Sequence, residues 1–149
     1  MASKKLNKIC KAALVLILVF IWGNSLLDAP KSAKLSENVT KAVVETLEKA
    51  TGHSFEAVIT ERAIRKIAHF SQFFCLGFFS FLVFPKKPKF IFFFGIAVSA
   101  LDESIQYFIP GRGPQLTDVI IDSTGFFIGV FVSYLLFCLI FRRHKKAKS

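Results

Sequence analysis

Four long apolar blocks constrain this chain more than any other feature of its sequence. Hydrophobic residues make up 53% of its 149 residues, and short charged segments divide them into blocks. A transmembrane helix needs about 20 consecutive apolar residues to cross the ~30 Å hydrocarbon core of a bilayer. We therefore predict one all-α integral membrane domain over residues 1–149, built as a bundle of about four transmembrane helices. The predicted spans are residues 12–27, 67–84, 90–109 and 118–141.

The polar segment 28–66, between the first two spans, carries a helical pattern of its own. Its apolar residues recur every four positions, which predicts an amphipathic helix. These residues are Leu35, Val39, Val43 and Leu47. Ser36 is a candidate N-cap and Gly52 a candidate C-cap. We expect one external helix that lies on the membrane surface or covers the bundle, and a role as a lid is open.

The basic residues are distributed unevenly around these spans. Twelve of the 20 Lys and Arg residues, and none of the ten acidic residues, fall in the N-terminal leader, the loop after the second span and the C-terminal tail. With four spans these three regions share one side of the membrane, and the positive-inside rule places that side in the cytoplasm. We therefore predict a multi-pass membrane protein with both termini cytoplasmic. Charge placed in this way forms no single basic face, so no nucleic-acid partner is expected.

Four carboxylates lie in or beside the apolar blocks, where an acid costs about 2.5–3.5 kcal/mol at a helix centre. They are Asp102 and Glu103 in the third span and Asp118 and Asp122 in the fourth. Counting along the helices places them at the same outer depth as His69 of the second span, whereas the inner half carries no ionisable residue. Such groups are tolerated when they point into the bundle and find partners or water there. The sequence therefore predicts a polar pocket that opens to the outside.

The candidate site residues form two groups according to their chemistry. The candidate catalytic residues are His69, Asp102, Glu103 and Asp122. Imidazole and carboxyl groups can act as general acid or base near neutral pH. The candidate substrate-binding residues are Arg65, Lys66, Gln106, Arg112 and Asp118. Their basic groups can hold an anionic head group, and spare carboxylates can hold a divalent cation, so a metal is an open alternative. A network of ion pairs that locks the helices together is the structural alternative.

Three motifs in this order resemble the VanZ-like family. They are R-K-x-x-H-F from Arg65, D-E-x-x-Q-x-F-x-P-G-R from Asp102 and D-x-x-x-D-x-x-G-x-x-x-G from Asp118, within roughly residues 60–132. Many members resemble this pattern with Asn where this chain has Asp122, and the extra charge favours a cation or proton-donor role. The resemblance implies a small bacterial cell-membrane protein linked to low-level resistance to the glycopeptide teicoplanin, without a settled reaction. Gly125 and Gly129 of the third motif also predict close helix packing.

Three functions are compatible with these residues. The first is an enzyme that acts at the outer leaflet on a lipid-linked or phosphate-bearing envelope substrate. The second is a non-catalytic protein that binds a lipid, a lipoglycan or the glycopeptide and alters access of the antibiotic. The third is an ion- or proton-coupled transporter, which the lack of ionisable groups in the inner half and of a visible internal repeat disfavours. Membrane lipids are expected partners in all three.

Overall fold

Five α-helices make up most of the chain that the computed structural model describes, which is residues 2–54, 59–111 and 115–146, and no strand occurs in these ranges. The helices are α1 (Ala2–Ser25), α2 (Ala29–Thr51), α3 (Glu61–Val83), α4 (Pro88–Tyr107) and α5 (Leu116–Lys146). By length and composition, α1, α3, α4 and α5 are able to cross a membrane. This confirms the predicted all-α class with four candidate transmembrane helices, and α2 is the additional helix.

The helices that contain the predicted spans begin earlier than the apolar blocks alone indicate. Helix α1 starts in the lysine-bearing leader, and α3 starts at Glu61, where the Thr60 hydroxyl accepts a hydrogen bond from the amide of Ala63 at 3.2 Å. Lys and Glu are good helix formers, so a helix continues through such residues beyond its apolar block. As a result, Arg65 and Lys66 lie on α3 itself.

The ends of α2 show one wrong and one correct prediction. Its N-cap is Asp28, with Pro30 in the first turn, so the predicted N-cap Ser36 is wrong. Ser36 lies inside the helix, where its hydroxyl donates to the carbonyl of Ser32 at 3.0 Å. Gly52 has a left-handed φ of 71°, which confirms it as the C-cap. Helix α2 packs against α3 and thereby covers one side of the bundle.

Glycines bring the backbones of α3 and α5 into direct contact at the centre of the bundle. A Cβ atom at Gly125 would lie 2.6 Å from the carbonyl oxygen of Phe70 on α3. A Cβ atom at Gly129 would overlap the carbonyl oxygen of Phe74. A residue with a side chain would force the two helices apart, so the close packing predicted from the G-xxx-G pattern is confirmed.

The interior of the bundle is organised around Phe126 of α5, which is fully buried. Its ring covers Gly95 of α4, and its carbonyl oxygen lies against Gly77 of α3. The outer surface is apolar as well, with side chains such as Leu16 and Phe93 each 68% exposed. Apolar side chains on both the inside and the outside are the expected result when the outer surface faces lipid. The remaining helices complete the bundle, because α1 contacts both α3 and α4.

Candidate functional site

Three ionisable side chains from three helices meet inside the bundle. Nδ1 of His69 on α3 lies 3.5 Å from Oδ1 of Asp122 on α5 and 3.8 Å from Oδ2 of Asp102 on α4. Asp102 and Asp122 are 0% and 1% exposed, and the His69 side chain is 15% exposed. We refer to these three residues as the His–Asp cluster. Its members come from distant parts of the chain, so the helix packing alone brings them together.

Hydrogen bonds hold Asp102 in the His–Asp cluster from two sides. The hydroxyl of Ser25, at the end of α1, donates to Oδ1 of Asp102. The side-chain amide of Gln106, one turn further along α4, donates to Oδ2 at 2.8 Å. Hydrogen bonds to an ionised carboxylate are stronger than those between neutral groups. These two therefore fix the orientation of Asp102 and connect α1 to α4.

Asp122 has a different environment, although it is equally buried. Neither of its carboxylate oxygens accepts a hydrogen bond from the described residues, and Nδ1 of His69 also lacks one. The 3.5 Å separation between the two residues is an ion-pair distance and longer than an ordinary hydrogen bond. Buried polar groups in native proteins are nearly always satisfied by protein, water or an ion. We therefore expect Asp122, among the members of the His–Asp cluster, to bind a further partner such as water or an ion.

Glu103 is kept apart from the His–Asp cluster, although it adjoins Asp102 in sequence. One of its oxygens accepts a hydrogen bond from the backbone amide of Gln115, just before α5. Its Oε2 is buried and has no hydrogen-bond partner among the described residues. Glu103 thus fastens the end of α4 to the start of α5. Lys66 and Asp118 form a separate ion pair between α3 and α5 at 3.9 Å, with side chains 36% and 20% exposed.

A cavity of about 360 Å³ lies between α1, α2 and α3, and His69 forms part of its wall. Half of its lining residues are apolar, namely Phe20, Leu27, Leu35, Val39, Ile64 and Ala68. The other half are polar, namely His69, Asn24, Ser32, Ser36, Arg65 and Gln72. Arg65 also lines this cavity, and its Nε is buried without a hydrogen-bond partner among the described residues. Small-molecule pockets typically measure about 300–1,000 Å³ and combine apolar walls with a few polar groups. The cavity therefore suits an amphipathic molecule with an anionic group.

Eight of the nine candidate site residues lie in the described part of the chain, where they fall into four sets. His69, Asp102 and Asp122 form the His–Asp cluster, with Gln106 bonded to it; Lys66 pairs with Asp118; Arg65 lines the cavity; and Glu103 bonds to the backbone before α5. Arg112, expected to bind substrate, lies outside the described residues. Sequence reasoning missed Ser25, which was counted as part of the first span. A single serine at the end of an apolar block carries no specific signal, so nothing in the sequence pointed to its contact with Asp102.

Comparison with known proteins identifies a related family. A protein-family model described as VanZ/LLP1 matches residues 11–140. This confirms the resemblance that three motifs indicated over roughly residues 60–132, and it extends the similarity into α1 and through most of α5. No curated protein and no solved structure matches the chain.

Proposed function

Because the chain belongs to the VanZ/LLP1 family, we propose that it is a bacterial cell-membrane protein that contributes to low-level teicoplanin resistance by acting on a lipid-linked or phosphate-bearing envelope substrate. The position of His69 carries this proposal. His69 belongs to the His–Asp cluster and also lines the cavity, so a molecule in the cavity would meet a buried acid–base group. Such convergence of ionisable side chains inside a membrane bundle is a functional-site signal by default.

The charge distribution supports a topology in which the His–Asp cluster lies near the outer face. The basic leader, the loop after α3 and the basic tail share one side of a four-span bundle, which the positive-inside rule places in the cytoplasm. Ser25 ends α1 and Asp102 lies late in α4, so both are far from these basic segments along their helices. Glycopeptides meet lipid-linked wall precursors outside the cell, on the same side as the proposed site.

Residues of α3 would bind the substrate and exchange protons with it. His69 lies beside the carboxylates of Asp102 and Asp122 and also lines the cavity, so its imidazole would exchange protons with a ligand bound there. The guanidinium of Arg65 can bind a phosphate or carboxylate group through paired hydrogen bonds. The apolar walls would accommodate part of a lipid chain.

Substitution of His69 tests the proposed function. His69→Ala should abolish the teicoplanin tolerance that the chain confers on a sensitive bacterial host, measured as the minimal inhibitory concentration. His53→Ala is the matched control, because His53 is exposed near the end of α2 and should leave tolerance unchanged. Quantifying each variant in the membrane fraction accounts for differences in insertion. Full tolerance with a normally inserted His69→Ala protein would contradict the proposal.

Binding without chemistry is the second candidate, and Arg65 favours it. A buried guanidinium nitrogen without a hydrogen-bond partner among the described residues is suited to hold an anionic head group, whether or not a reaction follows. In this case Arg65→Ala should abolish tolerance while His69→Gln retains it. Incubation of the purified protein with envelope lipids distinguishes the two candidates, because an enzyme yields a new lipid species by mass spectrometry and a binding protein does not.

A further inference from the structure

We propose that the His–Asp cluster binds a divalent transition-metal ion, with Zn²⁺ as the best fit, through Nδ1 of His69 and one carboxylate oxygen each from Asp102 and Asp122. The three donor atoms lie within 4.8 Å of one another. The inference rests on the proposed function, because it assigns a metal ion to the same site. Metal binding can nevertheless be measured without any substrate, so the two proposals can fail separately.

The separations between the donor atoms suit a tetrahedral ion. Zinc lies about 2.0–2.2 Å from nitrogen and oxygen ligands, which puts two tetrahedral ligands about 3.4 Å apart. Nδ1 of His69 is 3.5 Å from Oδ1 of Asp122 and 3.8 Å from Oδ2 of Asp102. Both distances are close to that separation, and the donors of all three residues lie within 4.8 Å of one another. Three protein ligands leave a fourth position for water or a ligand, as in catalytic zinc sites.

Asp122 supplies independent evidence for a cation. It is 1% exposed, and both of its carboxylate oxygens lack hydrogen-bond donors among the described residues. A second carboxylate, Asp102, lies beside the same imidazole, and two adjacent carboxylates repel each other in a medium of low dielectric constant. One divalent ion would bind an oxygen of Asp122 and neutralise the combined charge of the two carboxylates.

The surroundings of Asp102 also resemble those of a metal ligand. Its oxygens accept hydrogen bonds from Ser25 and Gln106, and such bonds commonly orient the carboxylates that bind metals. One imidazole with two carboxylates suits Zn²⁺, Mn²⁺ or Fe²⁺, whereas Mg²⁺ and Ca²⁺ prefer oxygen ligands alone. With an ion bound, His69 would act as a metal ligand, and a fourth coordination position would remain for water or a ligand.

Metal analysis of the purified full-length protein tests this inference. Protein stripped with a chelator, incubated with Zn²⁺ and desalted should retain about one ion per chain by inductively coupled plasma mass spectrometry. Asp122→Asn and His69→Ala should each lower that content below about a tenth, since each removes one of three protein ligands. Asp118→Asn, one turn away on α5, and His53→Ala are matched controls that should retain the ion. Mg²⁺ in roughly hundredfold excess should not displace it.

Replacement of Asp122 by cysteine separates metal ligation from a purely structural role. A thiolate binds zinc but is a weak hydrogen-bond acceptor, so Asp122→Cys should bind Zn²⁺ where Asp122→Asn does not. Each variant is first checked for a single symmetric peak by size-exclusion chromatography in detergent. Failure of Asp122→Cys to bind Zn²⁺ while it remains folded would contradict ligation by this residue.

Two results would overturn the metal site altogether. One is a wild-type protein that retains less than about a tenth of an equivalent of Zn²⁺, and the other is a zinc content unchanged by both Asp122→Asn and His69→Ala. A wild type without zinc whose tolerance is still lost in His69→Ala would remove the metal and leave the proposed function intact. Zinc binding that depends on His69, together with full tolerance in His69→Ala, would leave the metal site and remove the proposed function.

Discussion

Replacement of Ser25 by alanine tests the hydrogen bond that connects α1 to α4. The Ser25 hydroxyl donates to Asp102, and both side chains are buried, so water cannot replace the lost donor. Hydrogen bonds to charged groups contribute about 1.5–3 kcal/mol in proteins generally, whereas those between transmembrane helices average about 0.6 kcal/mol and reach about 1.7 kcal/mol. Gln106 still donates to the other oxygen of Asp102, which limits the loss. We therefore expect Ser25→Ala to lower the free energy of unfolding by about 1.5 kcal/mol, roughly tenfold in the equilibrium constant.

Ser99→Ala is the matched control for this measurement. Ser99 is also fully buried, and its hydroxyl donates to the carbonyl of Gly95 within α4 at 3.0 Å. The Ser25 hydroxyl also lies 3.1 Å from the carbonyl of Ile21 in its own helix, so Ser99→Ala accounts for the loss of a contact of that kind. The assay is equilibrium unfolding by sodium dodecyl sulfate in mixed micelles, followed by circular dichroism. A difference between the two variants of less than about 0.5 kcal/mol would refute the assigned role of this hydrogen bond.

Two further predictions concern helix packing and surface charge. Gly129→Val would place a side chain against the carbonyl oxygen of Phe74 and should lower the free energy of unfolding by about 1–3 kcal/mol in the same assay. In the control Gly23→Ala, the added methyl group meets no atom within 4 Å, so the effect should be neutral or slightly stabilising. Equal effects of the two substitutions would argue against the backbone contact. The Lys41 ammonium donates a hydrogen bond to the Glu37 carboxylate and holds the pKa of that carboxyl below its usual range. The pair therefore stabilises the folded protein at pH values above the pKa of Glu37 in the unfolded chain. This stability is lost as the pH falls through the pKa of Glu37 in the folded protein. Titration of Glu37 by NMR should show the low pKa and Lys41→Met should raise it, while identical titration curves would disprove the coupling.

The transmembrane helices could be predicted because a bilayer imposes a fixed length on each apolar block. Their ends could not, because residues with good helix propensity continue a helix beyond the block that crosses the membrane. Helix α3 shows this, since it begins at Glu61, ahead of the predicted span that starts at residue 67. The prediction that α2 starts at Ser36 is wrong because Asp28 followed by Pro30 is the stronger signal for a helix start.

The candidate site could be predicted in outline because an ionisable residue in an apolar block needs a polar partner. The specific partners could not, because they depend on the rotation of each helix relative to its neighbours. Consecutive residues point about 100° apart on a helix, so Asp102 and Glu103 face different partners despite their adjacency. Asp102 joins His69, whereas Glu103 bonds to the amide of Gln115. The residue pattern within a single helix does not show which residues of the neighbouring helices it contacts.

The glycine contact between α3 and α5 has a mechanical consequence for the His–Asp cluster. Phe70, whose carbonyl faces Gly125, directly follows His69, and Gly125 lies about one turn after Asp122. Sliding of one helix along the other by a full turn of about 5.4 Å would bring the side chain of Ile121 or Ser133 to a position that only glycine fits. The two helices should therefore tilt as a single unit when bilayer thickness changes. The distance between His69 and Asp122 would then stay constant under membrane deformation. The cavity, which is walled by α1 and α2 as well as α3, is the part that would widen or narrow.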